Sequence, residues 1–331
     1  MKAAQALSLD ETGIPEPRKN AELLGHAEAE QVLLNAVAGG RLPHAWLFTG
    51  PKGIGKATLA FRFARYLFTR ESDAITAAGG LFADEAVPET LPDSLFVAPE
   101  RPVFHRVASS GHGDLMTVER KINDKGKLST QIRIEDVRSA IDFAHKTSSE
   151  GGYKVIIVDG AELMNRSSEN AFLKILEEPP GQSVIIMVSH NPGRLLPTTR
   201  SRCRTLVMKP LATDVVGDLL GRYMPEISGG DAHELARLSE GSIGRAMSLA
   251  SGGGLDIYRN VVNIFASLPN LDSSAVQALA TRLSKTGDDD AYYSGIELFR
   301  WWLSRVVLAS SRGVSGDLSL SPEECAIAER A

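Results

Sequence analysis

The sequence predicts an α/β fold in which a parallel sheet covered by helices is followed by all-helical domains. Short apolar runs, each long enough for one buried strand, occur at 45–48, 153–159 and 183–189. Stretches with helical spacing separate these runs, as expected for parallel strands joined by right-handed crossovers. Beyond Pro210 the strand-like runs stop and only helical periodicity remains. These observations predict one α/β domain and a helical C-terminal part.

The composition is typical of a soluble globular protein with two or three domains. Of the 331 residues, 43% are hydrophobic and 23% are charged, and the net charge is −5. This balance argues against a protein whose main surface binds nucleic acid. The two cysteines, Cys203 and Cys325, are far apart and predict no disulfide framework. Residues 1–20 lack the apolar core of a signal peptide and no apolar run could span a membrane, so we expect a cytoplasmic protein.

Four segments are expected along the chain. Residues 1–20 predict an N-terminal arm, and 21–209 predict the α/β domain, in which 71–127 is an insertion or long loop. Residues 210–252 predict a small helical domain, and a glycine-rich linker leads to a helical C-terminal domain over 253–331.

The local patterns predict the remaining elements in order. Asn20 is a candidate cap for a helix through Val37, and short strands are expected at 95–97 and 115–118. Within the α/β domain, helices are expected after the glycine-rich turn that follows residue 49, from residue 134, and over 169–176 before a pair of prolines. In the C-terminal part, helical patterns cover 215–223, 232–239, 245–250, 258–265, 274–284 and 292–310.

The segment 44–68 contains the most informative motif. Its predicted strand leads into a GxxxxGK turn, and a helical pattern follows. This order is the setting of a phosphate-binding P-loop. Gly50, Gly53 and Gly55 let backbone N–H groups approach phosphate oxygens, and Lys56 adds a positive charge. ATP or ADP is the candidate ligand.

Two positions depart from an active ATPase site. Ala57 stands where a Ser or Thr hydroxyl normally binds Mg²⁺. Thr58 stays a candidate nucleotide-binding residue, but one step along a helix rotates a side chain by about 100°, so it is a poor substitute. Asp159 ends a strand shaped like a Walker B motif, and Gly160 follows it where such enzymes usually carry a glutamate that aligns water. The alternative to a Walker B motif is a structural strand that ends in an Asp-Gly turn. With either interpretation, we expect that the site does not hydrolyse ATP.

The remaining candidates are polar residues near the predicted strands. Ser189 ends a strand, where it either contacts a γ-phosphate or simply begins a turn. Glu162 and His190 receive no role. The run 200–204 holds three arginines. They form either a solvated basic edge or an arginine finger that binds the nucleotide of a neighbouring subunit. Such a finger raises the rate of hydrolysis by about 10³–10⁵. No metal is predicted, because the histidines and cysteines lack the spacing of a metal site.

Two further motifs resemble one family. Residues 169–180, ENAFLKILEEPP, resemble the NALLKxLEEPP signature of clamp-loader ATPases, and Ser201-Arg202-Cys203 resembles their SRC motif. Leu24-Gly25-His26 and the segment 40–45 extend the match, which covers roughly residues 20 to 250. The chain is thus similar to subunits of the clamp loader of bacterial DNA polymerase III, an AAA+ family.

The resemblance implies an AAA+ module, a helical lid over 210–252 and a helical collar over 253–331. It implies gamma/tau and delta subunits as partners in a pentameric ring, and, through that complex, a sliding clamp and primer-template DNA. Arg202 is implied as the catalytic group that acts in trans on an adjacent gamma/tau subunit's ATP. Arg245 is implied as a lid residue that reaches phosphate when nucleotide is bound.

The resemblance also implies a rigid scaffold subunit that does not itself hydrolyse ATP. Many members carry a four-cysteine zinc module after the P-loop helix, but 71–127 contains no cysteine, so we expect no zinc. One alternative is an active gamma/tau-like ATPase. Another is a nucleotide kinase, which leaves the LEEPP and SRC motifs unexplained.

Overall fold

The computed structural model describes residues 16–79, 93–122, 128–284, 289–312 and 322–329. The chain divides into two compact units: the described residues up to Pro210 form the first, and those from Leu211 form the second. Most of the predicted N-terminal arm, residues 1–15, lies outside the described residues. None of the helices in the described ranges is long and apolar enough to cross a membrane.

The first unit is built on a five-stranded parallel sheet with the order β2-β3-β4-β1-β5. The strands are β1 (Ala45–Thr49), β2 (Leu115–Val118), β3 (Lys154–Asp159), β4 (Ser183–Ser189) and β5 (Arg204–Val207). All residues of β1 and β4 are buried, which explains their continuous apolar runs. The predicted parallel sheet is confirmed.

Helices cover both faces of this sheet. Alternate residues of the central strands enter two separate cores, because successive side chains of a strand point to opposite faces. One core contains Trp46 and Phe48 of β1, the other Ala45 and Leu47. Residues of α1 (Ala27–Ala38), α2 (Lys56–Gly79) and α3 (Pro102–Ala108) pack into the first core. Residues of α4 (Ile134–His145) and α5 (Arg166–Glu177) pack into the second core. The short helix α6 (Pro197–Arg200) follows β4.

The start of the first helix differs from the prediction. The Asn20 side chain accepts a hydrogen bond from Glu22 N at 2.9 Å, but the chain remains irregular there. The helix α1 begins only at Ala27, after His26.

The stretch 71–127 is not a continuous loop in its described part. The helix α2 extends to Gly79, α3 lies within the stretch, and β2 is an edge strand of the main sheet. The strand expected at 115–118 is confirmed, whereas the one expected at 95–97 is wrong. Its apolar residues Leu95 and Val97 are instead buried in a segment without strand pairing.

The second unit is helical, as predicted, across its described residues. Its helices are α7 (Thr213–Tyr223), α8 (Gly229–Leu238), α9 (Ile243–Ser251), α10 (Gly254–Ala266), α11 (Ser273–Leu283), α12 (Asp289–Arg312) and α13 (Pro322–Ala328). The expected glycine linker is a two-residue turn between α9 and α10. Arg237 of α8 donates to Glu324 of α13 at 2.8 Å and to Tyr258 of α10 at 2.9 Å, so the network ties three helices together.

Candidate functional site

The P-loop joins β1 to α2 at the carboxyl edge of the sheet. Gly50, Gly53 and Gly55 have φ values of 144°, 76° and 102°, which side chains disfavour. A Cβ atom on Gly50 would lie 2.3 Å from the backbone oxygen of Met208, and one on Gly55 would lie 3.1 Å from Leu23 Cδ1. Glycine therefore satisfies both the backbone conformation and the close approach of neighbouring segments.

Lys56 is held inside this loop. It is 5% exposed, and its Nζ donates to the backbone oxygen of Gly50 at 2.8 Å and to that of Pro51. Burial lowers the pKa of Lys56 to about 8, although the carboxylates of Asp159 and Glu162 oppose this shift. The ammonium group thus lacks sufficient negative charge around it, so a phosphate at the loop would raise its pKa.

His26 supports the loop from the start of α1. Its Nε2 lies 2.6 Å from the backbone oxygen of Ile54, which only accepts hydrogen bonds. Burial is the main cause of a lowered pKa for His26, which favours the neutral ring with its proton on Nε2. The Leu24-Gly25-His26 motif therefore connects α1 to the P-loop.

The ends of three neighbouring strands meet at this edge. Asp159 is in register with Val188, and Ser189 is in register with Thr49, the last residue before the P-loop. Burial raises the pKa of Asp159, the charge of Glu119 adds to the effect, and Lys56 opposes it. The predicted residues of β1, β3 and β4 are thus brought to one edge, the usual ligand site of a parallel sheet.

Two of the candidate nucleotide-binding residues at this edge are buried. Ser189 is fully buried, and its Oγ accepts a hydrogen bond from Asn191 N at 3.2 Å. This contact favours the alternative in which Ser189 begins a turn. Thr58 is buried in the first turn of α2.

The local backbone favours glycine at Gly160. Its φ is 75°, and a Cβ atom there would lie 2.9 Å from Leu163 Cδ1. A glutamate at this position would be strained in its backbone and crowded by Leu163. The position that normally aligns water for hydrolysis is therefore built as a tight turn.

Sequence reasoning missed a pair beside Asp159, formed by a buried carboxylate and an exposed histidine. The Oε1 atom of Glu162 lies 2.8 Å from Nδ1 of His190, while its Oε2 has no hydrogen-bond partner among the described residues. The Glu162 side chain is buried, and burial lowers the pKa of His190 against the raising effect of that carboxylate. No spacing rule links two residues 28 positions apart, so only the strand arrangement reveals the pair.

Arg202 lies between α6 and β5, and its side chain is 34% exposed. Its Nη2 is 2.7 Å from Glu177 Oε1, and its Nη1 donates to the backbone oxygen of Thr198 at 2.8 Å. The next residue, Cys203, is buried with its Sγ 3.8 Å from Met187 Sδ, and burial raises its pKa to about 12. The segment is therefore anchored in the core directly beside the partly exposed arginine.

Arg245 lies in the second unit, at the start of α9. Its backbone N–H is capped by Ser242 Oγ at 3.1 Å, and its Nη1 donates to Glu240 Oε2 at 3.3 Å. Glu240 also accepts from Arg305 of α12 at 2.7 Å. Although burial opposes the shift, the hydrogen bond from Arg305 and the charges of both arginines hold the pKa of Glu240 below its usual value.

Metal binding finds no further support in the described ranges, where His, Cys, Asp and Glu side chains form no group of three or more able to hold a metal ion. The absence of zinc stays a prediction, since part of the stretch 71–127 lies outside those ranges.

Comparison with known proteins identifies related sequences. A DNA polymerase III subunit delta' from Pseudomonas aeruginosa is 34% identical over 206 residues, covering 62% of this chain and 55% of the relative. The delta' subunit of Bacillus subtilis is 29% identical over 190 residues (57% and 49%), and the tau subunit of Escherichia coli is 28% identical over 249 residues (72% and 34%). The matched regions thus span about half the length of the delta' relatives.

Among the solved structures that this chain matches is a DNA polymerase III gamma subunit-related protein from Thermotoga maritima. It is 17% identical, with 88% of each chain covered and a TM-score of 0.35. The fold assignment rests on the sheet described above. The profile of the family described as "DNA polymerase III, delta subunit" matches residues 25–212. Because this match covers more than half of the chain, the protein belongs to the DNA polymerase III delta subunit family.

Proposed function

We propose that this chain is a scaffold subunit of a DNA polymerase III clamp loader that supplies Arg202 to the ATP of a neighbouring gamma/tau subunit. The observation that carries the proposal is the contrast between an exposed, anchored arginine and a P-loop edge without hydrolytic groups. Guanidinium suits this role because it stays charged and binds phosphate oxygens through several N–H groups. The relatives named delta' favour this role over that of the motor subunit.

The chain's own nucleotide edge supports a non-hydrolysing role. Ala57 provides no metal-binding hydroxyl, and Gly160 stands where the water-aligning glutamate is usual, in a turn that disfavours a larger residue. The glycines and Lys56 keep the geometry of a P-loop, so ATP or ADP remains the proposed ligand without turnover.

The proposed partners are gamma/tau and delta subunits in a pentameric ring that loads a sliding clamp onto primed DNA in the cytoplasm. We assign the lid to 210–252 and the ring-forming collar to 253–331. An exposed apolar stripe along α12 supports this assignment, because large exposed apolar surfaces often mark protein contacts. The stripe, at helical spacing, consists of Tyr292, Ile296, Phe299, Leu303 and Val307.

The proposal is tested with Arg202→Ala assembled with its gamma/tau and delta partners. We expect the ring to form and its DNA-stimulated ATP turnover to fall by at least about tenfold, since trans arginines contribute about 10³–10⁵. Arg200→Ala, which removes an exposed arginine from the same segment, is the matched control. Unchanged turnover in the Arg202→Ala complex would contradict the proposal.

The alternative, an active gamma/tau-like ATPase, is supported by the intact glycines and Lys56 of the P-loop. It is tested by incubating the purified chain with ATP and Mg²⁺. The scaffold role predicts no turnover above background. Turnover that disappears in Lys56→Ala would favour the motor role instead, and a nucleotide titration of the same two proteins measures binding separately.

A further inference from the structure

We infer that Glu177 is a positioning residue for Arg202, holding the guanidinium ready for a neighbouring subunit's phosphate. This inference rests on the proposed function of Arg202 and adds to it the group that orients the arginine. The two residues are 25 positions apart, and the Nη2–Oε1 distance of 2.7 Å brings together the LEEPP and SRC segments.

The contacts of Arg202 orient it without using all its donors. Glu177 Oε1 contacts Nη2, and the backbone oxygen of Thr198 accepts from Nη1. A guanidinium has five N–H groups, so the N–H of Nε and one on each Nη remain for a ligand. A phosphate can therefore be bound while the contact with Glu177 persists.

Both ends of α5 support the arginine segment. Near its start, Glu169 Oε1 accepts from Leu196 N at 2.7 Å, directly before α6. Near its end, His44 Nε2 lies 2.9 Å from the backbone oxygen of Leu176, next to Glu177. The helix thus fixes the backbone that precedes Arg202 and also provides the carboxylate that contacts its side chain.

Stability does not explain the presence of Glu177 at this position. It is the last residue of α5, where a carboxylate faces the negative end of the helix dipole. The Glu177 and Arg202 side chains are 48% and 34% exposed, and exposed ion pairs stabilise proteins little. The placement is better explained by the orientation it imposes on the guanidinium.

Orientation affects the chemical step. A long arginine side chain loses rotamer freedom when it binds phosphate, and prior restraint reduces that loss. Because a trans arginine acts mainly on charge in the transition state, removing the restraint should lower kcat and leave KM for ATP unchanged. The expected fall is about two- to tenfold.

The experiment uses the full chain assembled with its gamma/tau and delta subunits. DNA-stimulated ATP turnover is measured as kcat and KM for Glu177→Ala, with Glu178→Ala as the matched control. Glu178 is the adjacent exposed glutamate and has no ion pair with Arg202 in the described structure. We expect a lower kcat for Glu177→Ala only, and an intermediate kcat for the shorter carboxylate of Glu177→Asp.

The direction of the change in kcat distinguishes a positioning role of Glu177 from a purely electrostatic one. If Glu177 acted only through its charge, its removal would strengthen the attraction between Arg202 and phosphate and raise kcat. An unchanged or raised kcat for Glu177→Ala, in complexes that Arg202→Ala does slow, overturns the positioning role alone. A complex that Arg202→Ala does not slow overturns the proposed function itself. A further fall when Glu177→Ala is added to Arg202→Ala would also overturn positioning, since no finger is left to orient.

Discussion

The P-loop edge and the arginine segment belong to the same unit but hold their cations differently. Lys56 is almost fully buried, and its ammonium donates to two carbonyls of its own loop. Arg202 is one-third exposed and, among the described residues, contacts one carbonyl and one carboxylate, so that three of its five N–H groups have no partner there. The first cation is bound within its own loop, whereas the second is the one that we propose acts on a partner.

The two regions also differ in which groups of an active nucleotide site they keep. At the P-loop edge, the features that remain are those that the backbone requires, such as the glycine at Gly50. The groups that only hydrolysis requires are absent at Ala57 and Gly160. At the arginine segment the pattern is reversed: the core contact of Cys203 supports an exposed group that the fold itself does not need.

The largest effect should come from Gly50→Ala, which tests whether the P-loop is still needed as structure. Its φ of 144° and the 2.3 Å approach to the Met208 oxygen predict a loss of about 3–5 kcal/mol. Gly151→Ala is the control, because Gly151 also has a positive φ but has no atom within 4 Å of the added Cβ. Urea unfolding measures both; equal losses in the two variants would show that the close approach is unimportant.

The next effect concerns pH and the buried charge of Lys56. Because its pKa falls from 10.5 to about 8 on folding, the unfolded chain binds more protons between those values, and stability should rise with pH there. Relative to Lys56→Met, the natural chain should gain about 3 kcal/mol from pH 8 to 10.5. Unfolding free energies of both proteins across this range provide the measurement. A difference in unfolding free energy that stays constant from pH 8 to 10.5 would mean that folding does not lower the pKa of Lys56.

Asp159 should show the opposite sign at lower pH. Its pKa is raised above the ordinary 3.8, so folding penalises the charged carboxylate once the pH exceeds that value. Asp159→Asn should therefore raise Tm at pH 7, and the gain should disappear below about pH 4. Thermal unfolding at both pH values tests this. A lower Tm for the variant at pH 7 would indicate that Asp159 stabilises the P-loop edge.

The smallest effect should be that of Arg202→Ala on stability. Its exposed ion pair predicts a change in unfolding free energy within about 0.5 kcal/mol, even though turnover of the assembled complex should fall strongly. Urea unfolding of the isolated chain measures it. A loss above about 2 kcal/mol would make Arg202 a structural residue and remove the contrast with the P-loop edge.

The sequence predicted the parts of the fold that have strong local patterns. The strands β3 and β4 were recognisable because buried parallel strands are continuously apolar. The edge strand β5 was missed because it is short, and three of its four residues are exposed. The helix α3 was hidden in the stretch 71–127, where turn residues predicted a loop.

The candidate site was predictable in its motifs but not in its contacts. The P-loop and the Arg202 segment follow from short patterns, and so do the departures at Ala57 and Gly160. The pairing of Glu162 with His190 does not, because these residues come together only through the parallel alignment of β3 and β4.

By itself, the sequence determined the α/β fold, the P-loop and the missing hydrolytic groups, because each depends on residue type at a local spacing. Only the tertiary structure decided which polar groups already form contacts within the chain. It buried Ser189 in a turn, made Gly160 a close neighbour of Leu163, and placed Glu177 beside Arg202. Strand register and helix packing bring such residues together, and no local pattern specifies them.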